Sequence, residues 1–563
     1  MGRPPPRTRC PVSATPYQQL EQEWKRLHAF RGALALLRWD AAVMMPKGSA
    51  DIRGEQLAAL ETEHHTLLTA PRISRLLDRA QANAPGLDEW QLGNLREMRR
   101  QRDHAIATPV SLVSRLARAT SKAEVKWVEA RRADDFAIFA PHLEEVLQLV
   151  RDKAQLLGQA LNLAPYDALI DEFSPGVTMT DIDAMFKALA RRLPGLIRET
   201  MALQAKHPAL PITGKFPVAK QRQLVTEIMK AVGFPFDGGR VDESEHPFTE
   251  GVPGDIRITT RYDADDLFSS VLGALHETGH AMYDLGLPRE WRDQPVGRDR
   301  GMAIEESQSL LIEMIVCRSR PFVRYLMPLL QKHFGVSGPE WDPENVYAHL
   351  TRVRRSLIRV DADELTYPLH IQLRYDLEKQ LLAGALAVRE LPEAWAEFMQ
   401  ARFNVRPARQ QEGCLQDIHW AVGSFGYFPS YALGAAIAAQ LFEKLRGDVP
   451  ALDEQIARGE FAGLFGWLRE KVHGLGAKVS TQELLKLATG KPLTATASLR
   501  YLEGKYLEDP ASRSAAATSS RRERMASSAW AMRAPSPTRA ASNCASAASR
   551  LCRSAWAFRW MTV

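Results

Sequence analysis

The chain is poor in cysteine and has no long apolar segment. Its cysteines are odd in number and lack the paired spacing of metal sites: Cys10, Cys317, Cys414, Cys544 and Cys552. We therefore expect no disulfide framework and a reducing, cytoplasmic environment. No apolar run reaches the roughly eighteen residues that suggest a membrane-spanning helix, and no apolar segment follows the basic residues at the start. Both absences argue against a membrane anchor and a secretory signal.

Acidic residues are almost missing from the last part of the sequence. Residues 511–563 contain nine arginines and one glutamate, whereas the net charge of all 563 residues is +6. The remainder is nearly neutral and predicts no nucleic-acid partner. We expect residues 1–14 and the Ala-, Ser- and Arg-rich residues 508–563 to be disordered, because neither can bury enough apolar surface to offset the entropy of ordering. A basic segment that contacts nucleic acid or membrane is the alternative for residues 508–563.

Alternating apolar and polar runs are scarce between Tyr17 and Leu507. Apolar residues recur instead at helical spacing, in residues 18–38, 57–77, 92–106, 143–161 and 181–204. The best strand candidate is Asp255–Thr260. We therefore expect residues 15–507 to form one large, mostly α-helical domain with a small sheet.

The five residues His276-Glu277-Thr278-Gly279-His280 form the pattern with the most chemical content. Residues four apart lie on one face of a helix, so both imidazoles can bind one metal ion. Glu277 then lies beside the ion, where its carboxylate can accept a proton from water, as in zinc peptidases. Acidic residues before the pattern, and glycine and proline after it, predict a helix of about twenty residues. Two unrelated histidines on a solvated helix face are the alternative.

A catalytic zinc ion needs a third protein ligand. Glu305 and Glu306 follow His280 by 25 and 26 residues on a second predicted helix, and they point about 100° apart, so only one can face the metal. A solvated pair of glutamates is the alternative. The histidines also need acceptors that orient their rings. The position four residues after Glu306, where a carboxylate would serve, is Leu310, so Asp284 is our candidate.

Peptide hydrolysis also requires a hydrogen-bond donor for the oxyanion that develops, typically Tyr or His. Two later segments supply candidates, namely His419 in residues 416–420, and Tyr427 and Tyr431 in residues 426–431. Packing in the core is the alternative for these aromatic side chains.

Six separated motifs stand in one order along the chain: His-Pro-Phe at 246–248, Asp-Ile-Arg-Ile-Thr at 255–259, the pattern at 276–280, Glu-Ser-Gln at 306–308, Ile-Arg-Val-Asp-Ala-Asp at 358–363, and Gly-Cys-Leu-Gln-Asp-Ile-His-Trp at 413–420. In this order they resemble the carboxypeptidase Taq family of metallocarboxypeptidases, over roughly Tyr17 to Leu507. One position departs from the family, which often has His where this chain has Glu305.

This resemblance implies a site, a fold and an activity. The glutamate ligand of the family falls on Glu306, so the metal ligands are expected to be His276, His280 and Glu306. One Zn²⁺ per subunit is expected, for which Co²⁺ or another divalent ion can substitute. The fold is expected to be helical and deeply clefted, similar to neurolysin and angiotensin-converting enzyme. The expected activity is broad removal of single C-terminal residues from peptides by a homodimer.

A carboxypeptidase must also anchor the free carboxylate of its substrate. Arginine suits this role because its planar guanidinium makes two parallel hydrogen bonds. Arg359 is the first candidate and Arg257 the second, and both occur in the shared motifs. His246, Gln416 and Tyr431 are further substrate-binding candidates. An oligopeptidase that cleaves internal bonds and a catalytically inactive peptide-binding protein are the alternative functions.

Overall fold

The computed structural model describes residues 14–244, 247–252 and 254–507. The two segments for which we expect disorder, residues 1–14 and 508–563, lie outside this range except for Ala14. No helix in the part of the chain that the structure describes is both long and apolar enough to span a membrane.

Twenty α-helices and three β-strands make up most of the described residues. Along the chain they are α1 (Pro16–Val43), α2 (Ala50–Thr69), α3 (Pro71–Ala82), α4 (Glu89–Ala107), α5 (Val110–Ala133), α6 (Ala140–Leu161), α7 (Pro165–Phe173), α8 (Met179–Lys206), α9 (Val218–Val232), β1 (Gly239–Glu243), β2 (Thr249–Val252), β3 (Asp255–Thr260), α10 (Leu267–Gly286), α11 (Met302–Leu310), α12 (Arg320–Phe334), α13 (Pro343–Leu350), α14 (Tyr367–Ala383), α15 (Leu391–Phe403), α16 (Pro429–Asp448), α17 (Leu452–Ala457), α18 (Ala462–Lys471), α19 (Thr481–Thr489) and α20 (Ala495–Tyr506). A π-helical segment, Leu311–Val316, follows α11 directly.

The prediction of a mostly helical fold with a small sheet is confirmed. Four of the five helical segments predicted from periodicity lie within single helices, namely α1, α4, α6 and α8. The fifth, residues 57–77, is wrong as one helix, because α2 ends at Thr69 and α3 begins at Pro71. Proline lacks the amide proton that a continuing helix needs and disfavours helical backbone in the residue before it, so it starts a new helix here.

The sheet lies directly before the helix that carries the two histidines. Its strand order is β1-β3-β2, with β1 parallel and β2 antiparallel to β3. Strand β3 has the predicted bounds, Asp255–Thr260, and buries Ile256 and Ile258 in the main core. Because β3 packs against α10, its hydrogen-bonded neighbour β2 is held beside the same helix.

Helix α10 is central, and 16 of its 20 residues are buried. Its N-terminus is capped by Asp266, whose Oδ1 accepts a hydrogen bond from the backbone amide of Ser269 at 3.1 Å. Two glycines let neighbouring helices approach closely. A Cβ on Gly279 of α10 would lie 2.6 Å from Cα of Ser309 in α11, and one on Gly434 of α16 would lie 2.8 Å from Cβ of Glu306. Helix α11 is therefore clamped between α10 and α16.

The N-terminal helices form a second, smaller core. It contains apolar residues of α1 to α4: Tyr17, Leu20, Trp24, Leu27, Leu68, Ile73, Leu77, Ala80, Leu95 and Met98. A buried ion pair joins this unit to the rest, since Nη1 of Arg300 lies 2.8 Å from Oε1 of Glu97 in α4. Arg300 immediately precedes the residues that begin α11, and its amide donates to the hydroxyl of Tyr283 in α10 at 3.1 Å. The second core thus braces the start of α11.

We expect Gly434→Ala to destabilise the protein. The new methyl group would overlap Cβ of Glu306, and overpacking of this kind typically costs about 1–3 kcal/mol. Gly447→Ala, on the same helix with no atom within 4 Å of the new Cβ, is the matched control. It should be neutral or stabilising by up to about 1 kcal/mol. Thermal unfolding of both variants measures the difference, and equal melting temperatures would contradict the close approach of α16 and α11.

Candidate metal centre

Three buried side chains from α10 and α11 converge on one point. His276 and His280 lie on the same face of α10, as their spacing predicts, and Glu306 reaches them from α11. The nearest oxygen of Glu306, Oε2, lies 3.8 Å from Nε2 of His276 and 3.9 Å from Nε2 of His280. Among the described residues these three form a group of potential metal ligands, with one donor atom from each all within 4.8 Å of one another.

The other ring nitrogen of each histidine contacts a buried carboxylate. Nδ1 of His276 lies 3.0 Å from Oε2 of Glu313, and Nδ1 of His280 lies 2.8 Å from Oε1 of Glu305. A carboxylate that accepts the Nδ1 proton orients the ring so that Nε2 faces the metal position, where a bound metal replaces any proton on Nε2. The prediction that Asp284 orients a histidine is therefore wrong, and Glu305 and Glu313 have this role.

The spacing along the helix explains the position of Glu313. Glu313 comes seven residues after Glu306, about two helical turns, which brings it near the same face. It lies within Leu311–Val316, where the chain changes from α- to π-helical hydrogen bonding. A single charged residue inside the apolar sequence Leu-Leu-Ile-Glu-Met-Ile-Val was the signal that could have identified it.

Burial and charge act in opposite directions on this pair of residues. Burial alone would raise the pKa of Glu313, but Arg318, whose Nη2 lies 2.6 Å from Oε1, and His276 outweigh it and lower this pKa to about 2. Burial alone would lower the pKa of His276, whereas the hydrogen bond with Glu313 and the neighbouring carboxylates raise it to about 9. Glu313 is therefore ionised, and its negative charge stabilises positive charge on the imidazole of His276.

The histidines open into a pocket that also contains several of the predicted residues. It is lined by Pro247, Phe248, His276, Glu277, His280, Glu306, Leu310, Glu313, Met314, Arg318, Arg359, Val360, Ala362, Tyr367, Tyr427 and Tyr431. The structure thus brings the predicted Glu277, Arg359, Tyr427 and Tyr431 together at the metal ligands. His246 lies outside the described residues.

Arg359 is held in this pocket by a buried network. Its Nε and Nη2 lie 3.0 and 2.9 Å from Oδ1 of Asp417, and its backbone amide donates to Oε1 of Gln416 at 2.9 Å. Arg374 contacts the same two residues, with Nε 2.6 Å from Oδ2 of Asp417 and Nη2 2.8 Å from Oε1 of Gln416. Gln416, predicted to bind substrate, is therefore placed behind Arg359 and outside the residues that line the pocket.

Two other predicted residues also lie outside the pocket lining. Arg257 makes two hydrogen bonds to Asp255, at 3.0 and 2.8 Å, and its guanidinium stacks 4.2 Å from the ring of Trp39. His419 packs its ring 4.4 Å from that of Phe428, and its Nε2 lies 3.4 Å from the hydroxyl of Tyr431. His419 therefore reaches the pocket through Tyr431.

The donor atoms fit a single divalent transition-metal ion. Donors bound at about 2.1 Å in tetrahedral geometry lie roughly 3.4 Å apart, close to the 3.8 and 3.9 Å between Glu306 and the two imidazoles. Two imidazoles and one carboxylate form the ligand set of catalytic metal sites with an open position for water or substrate. Fold and site together define a helical metallopeptidase.

Comparison with known proteins agrees with this class. Residues 19–506 match the family model described as carboxypeptidase Taq (M32) metallopeptidase. Thermostable carboxypeptidase 1 of Thermus thermophilus is 38% identical over 503 residues, which cover 87% of this chain and 98% of that protein. Carboxypeptidase 1 of Bacillus subtilis is 35% identical over 483 residues, which cover 86% and 96%.

Solved structures give the same result. Metallocarboxypeptidase 1 of Trypanosoma cruzi superposes with a TM-score of 0.86 at 38% identity, over 88% of this chain and 99% of that one. The carboxypeptidase of Pyrococcus furiosus superposes with a TM-score of 0.84 at 34% identity, over 88% and 99%. The chain belongs to the carboxypeptidase Taq (M32) family of metallopeptidases. It is a metallocarboxypeptidase, a peptide hydrolase, and the predicted resemblance to this family is confirmed.

We expect Glu305→Gln to weaken metal binding about 10- to 100-fold, because the amide keeps the shape of the carboxylate but removes the charge that makes His280 a strong donor. Glu378→Gln is the matched control, since Glu378 is also buried but accepts from Tyr166, Trp420 and Gly426 outside the metal group. Competition with a chelator measures the dissociation constant of Zn²⁺ for both variants. Equal constants in the two variants would show that Glu305 does not tune the site.

Proposed function

We propose that this chain is a zinc-dependent carboxypeptidase that removes single residues from free peptide C-termini with broad specificity, and that Glu277 is its general base. The observation that carries this proposal is the presence of Arg359 in the same pocket as Glu277 and the three metal ligands. A cation near the metal can select a terminal carboxylate, whereas cleavage of internal bonds requires no such group.

The proposed metal ligands are His276, His280 and Glu306, with one ion per subunit. Zinc suits two nitrogen donors and one carboxylate, and Co²⁺ or another divalent ion with similar preferences can substitute. When bound, such an ion polarises the scissile carbonyl and lowers the pKa of a bound water. The protein supplies the donors, their orientation by Glu305 and Glu313, and the groups that move protons.

Glu277 suits proton transfer because it follows a metal ligand directly and its carboxylate lines the pocket. As the attacking water loses a proton, Glu277 accepts it, and it later donates this proton to the amine of the departing residue. Its backbone is fixed in the middle of α10, so the carboxylate swings only through its own side-chain torsions.

Tyr427 and Tyr431 are the proposed donors to the oxyanion. Burial raises the pKa of both hydroxyls well above 10, so both stay protonated at neutral pH. Burial also lowers the pKa of His419 to about 3, which keeps its ring neutral. We propose that His419 acts through Tyr431, since its Nε2 lies 3.4 Å from the Tyr431 hydroxyl.

Arg359 is the proposed anchor for the terminal carboxylate of the substrate. Burial would lower its pKa, but Asp417 outweighs this effect and raises the pKa above its ordinary value, so the guanidinium stays charged. Asp417 and Gln416 hold the side chain and the backbone of this arginine in place. Arg257, engaged with Asp255 and Trp39, remains the second candidate.

Further features of the proposal rest on composition and on the family resemblance. We propose that the protein acts in the cytoplasm as a homodimer. Its partners are peptides with a free C-terminus, and we propose that it binds neither nucleic acid nor membranes.

Peptides with a free C-terminus and their C-terminal amides test the proposal. We expect the free acid to be cleaved at its last bond and the amide to be cleaved at least tenfold less efficiently. Arg359→Lys removes the two-pronged contact while keeping the charge, so it should raise KM for the free acid about tenfold or more and reduce this preference. Arg257→Lys, at the second candidate outside the pocket lining, is the control, and KM should change less than threefold.

Equal cleavage of acid and amide at one bond would contradict the carboxypeptidase proposal and favour an oligopeptidase. Absence of cleavage by the zinc-loaded protein would favour a peptide-binding protein without activity. Equal effects of the two arginine variants would move the anchor away from Arg359.

A further inference from the structure

We propose that Thr249 is a positioning residue that holds the carboxylate of Glu277 in its catalytic orientation. Thr249 is the first residue of β2 and is completely buried. Its hydroxyl oxygen lies 2.8 Å from Oε2 of Glu277 and 3.0 Å from the backbone oxygen of the same residue. This inference rests on the role of Glu277 as general base.

The chemistry of the hydroxyl favours the carboxylate as its acceptor. A threonine hydroxyl has one proton and donates it to one acceptor at a time. A hydrogen bond to an ionised oxygen is stronger than one to a neutral carbonyl, so the proton of Thr249 points to Oε2 of Glu277. A glutamate side chain has several accessible rotamers, and this contact selects the one in which the carboxylate faces the pocket.

The sheet fixes the donor itself. Thr249 is in register with Ile258 of β3. Both backbone polar groups of the preceding residue, Phe248, are hydrogen-bonded to Thr259. The amide of Thr259 donates to the backbone oxygen of Phe248 at 2.8 Å, and the amide of Phe248 donates to Oγ1 of Thr259 at 2.9 Å. The hydroxyl of Ser244 contacts the same Oγ1 at 2.8 Å. Thr259 therefore anchors the strand end from which Thr249 reaches α10.

Through this arrangement the small sheet helps to position the catalytic carboxylate. Strand β2 contacts the general base through Thr249, and Phe248, directly before it, lines the pocket. The motif at residues 255–259 contributes indirectly, because its Thr259 fixes the backbone beside the positioning residue.

Thr249→Val removes the hydroxyl while keeping the branched shape. We expect kcat to fall about 10- to 100-fold, as a base displaced by about 1 Å can cause, with KM and the zinc content per subunit within about twofold of the starting values. Thr249→Ser, which keeps the hydroxyl, should retain kcat within about threefold. Thr249→Ala forms a second pair with Thr249→Ser that differs only in the hydroxyl, so the comparison holds even if the valine variant does not fold.

Thr260→Val is the matched control. Thr260 is equally buried in the next strand, and its hydroxyl has no hydrogen-bond partner within the described part of the chain. The same substitution there should leave kcat within about twofold. If Thr260→Val lowers kcat as much as Thr249→Val, the effect comes from the sheet as a whole and the proposal is wrong.

A double-mutant cycle separates this inference from the proposed function. In a Glu277→Ala background the carboxylate is absent, so adding Thr249→Val should change the residual kcat less than twofold. A full 10-fold effect in that background would show that Thr249 acts elsewhere. If Glu277→Ala alone leaves kcat unchanged, the role of Glu277 as general base is wrong. If Glu277→Ala is inactive but Thr249→Val is fully active, only the role of Thr249 is wrong.

Discussion

Electrostatic repulsion among buried carboxylates is the constraint on which the rest of this structure depends. Glu277, Glu305 and Glu306 are at least 95% buried, and the side chain of Glu313 is 12% exposed. Like charges that are buried close together repel more strongly than they do in water, unless a cation lies between them. Arg318 balances one of these charges through Glu313. A divalent cation held by the two imidazoles and Glu306 would balance the charges of the others.

Helix packing follows from this constraint, because donors from α10 and α11 must reach one ion. Gly279 and Gly434 remove the side chains that would keep α11 away from α10 and α16. Glu313, within the π-helical segment after α11, lies against His276. The sheet completes the group by bringing the hydroxyl of Thr249 to Glu277. The two glycines, the segment that contains Glu313 and the sheet each help to place a buried charged group next to its partner.

The amino-acid sequence predicted what depends on local spacing. His276 and His280 share a face because they are four apart, and Glu306 was chosen over Glu305 only through the family resemblance. The orienting residues could not be predicted, since Glu313 lies beyond the four-residue spacing that we considered and Asp284 was the wrong choice. Periodicity also missed the break at Pro71 in residues 57–77.

Contacts between distant parts of the chain could not be predicted from local spacing. Arg359 depends on Asp417, 58 residues later, and Thr249 reaches Glu277 28 residues along. The most direct measurement of the central claim is anomalous diffraction at the zinc absorption edge, from crystals of the full chain grown with zinc. We predict one peak about 2.0–2.2 Å from Nε2 of His276, Nε2 of His280 and a carboxylate oxygen of Glu306. A zinc peak bound elsewhere, with none shared by these three residues, would contradict the account.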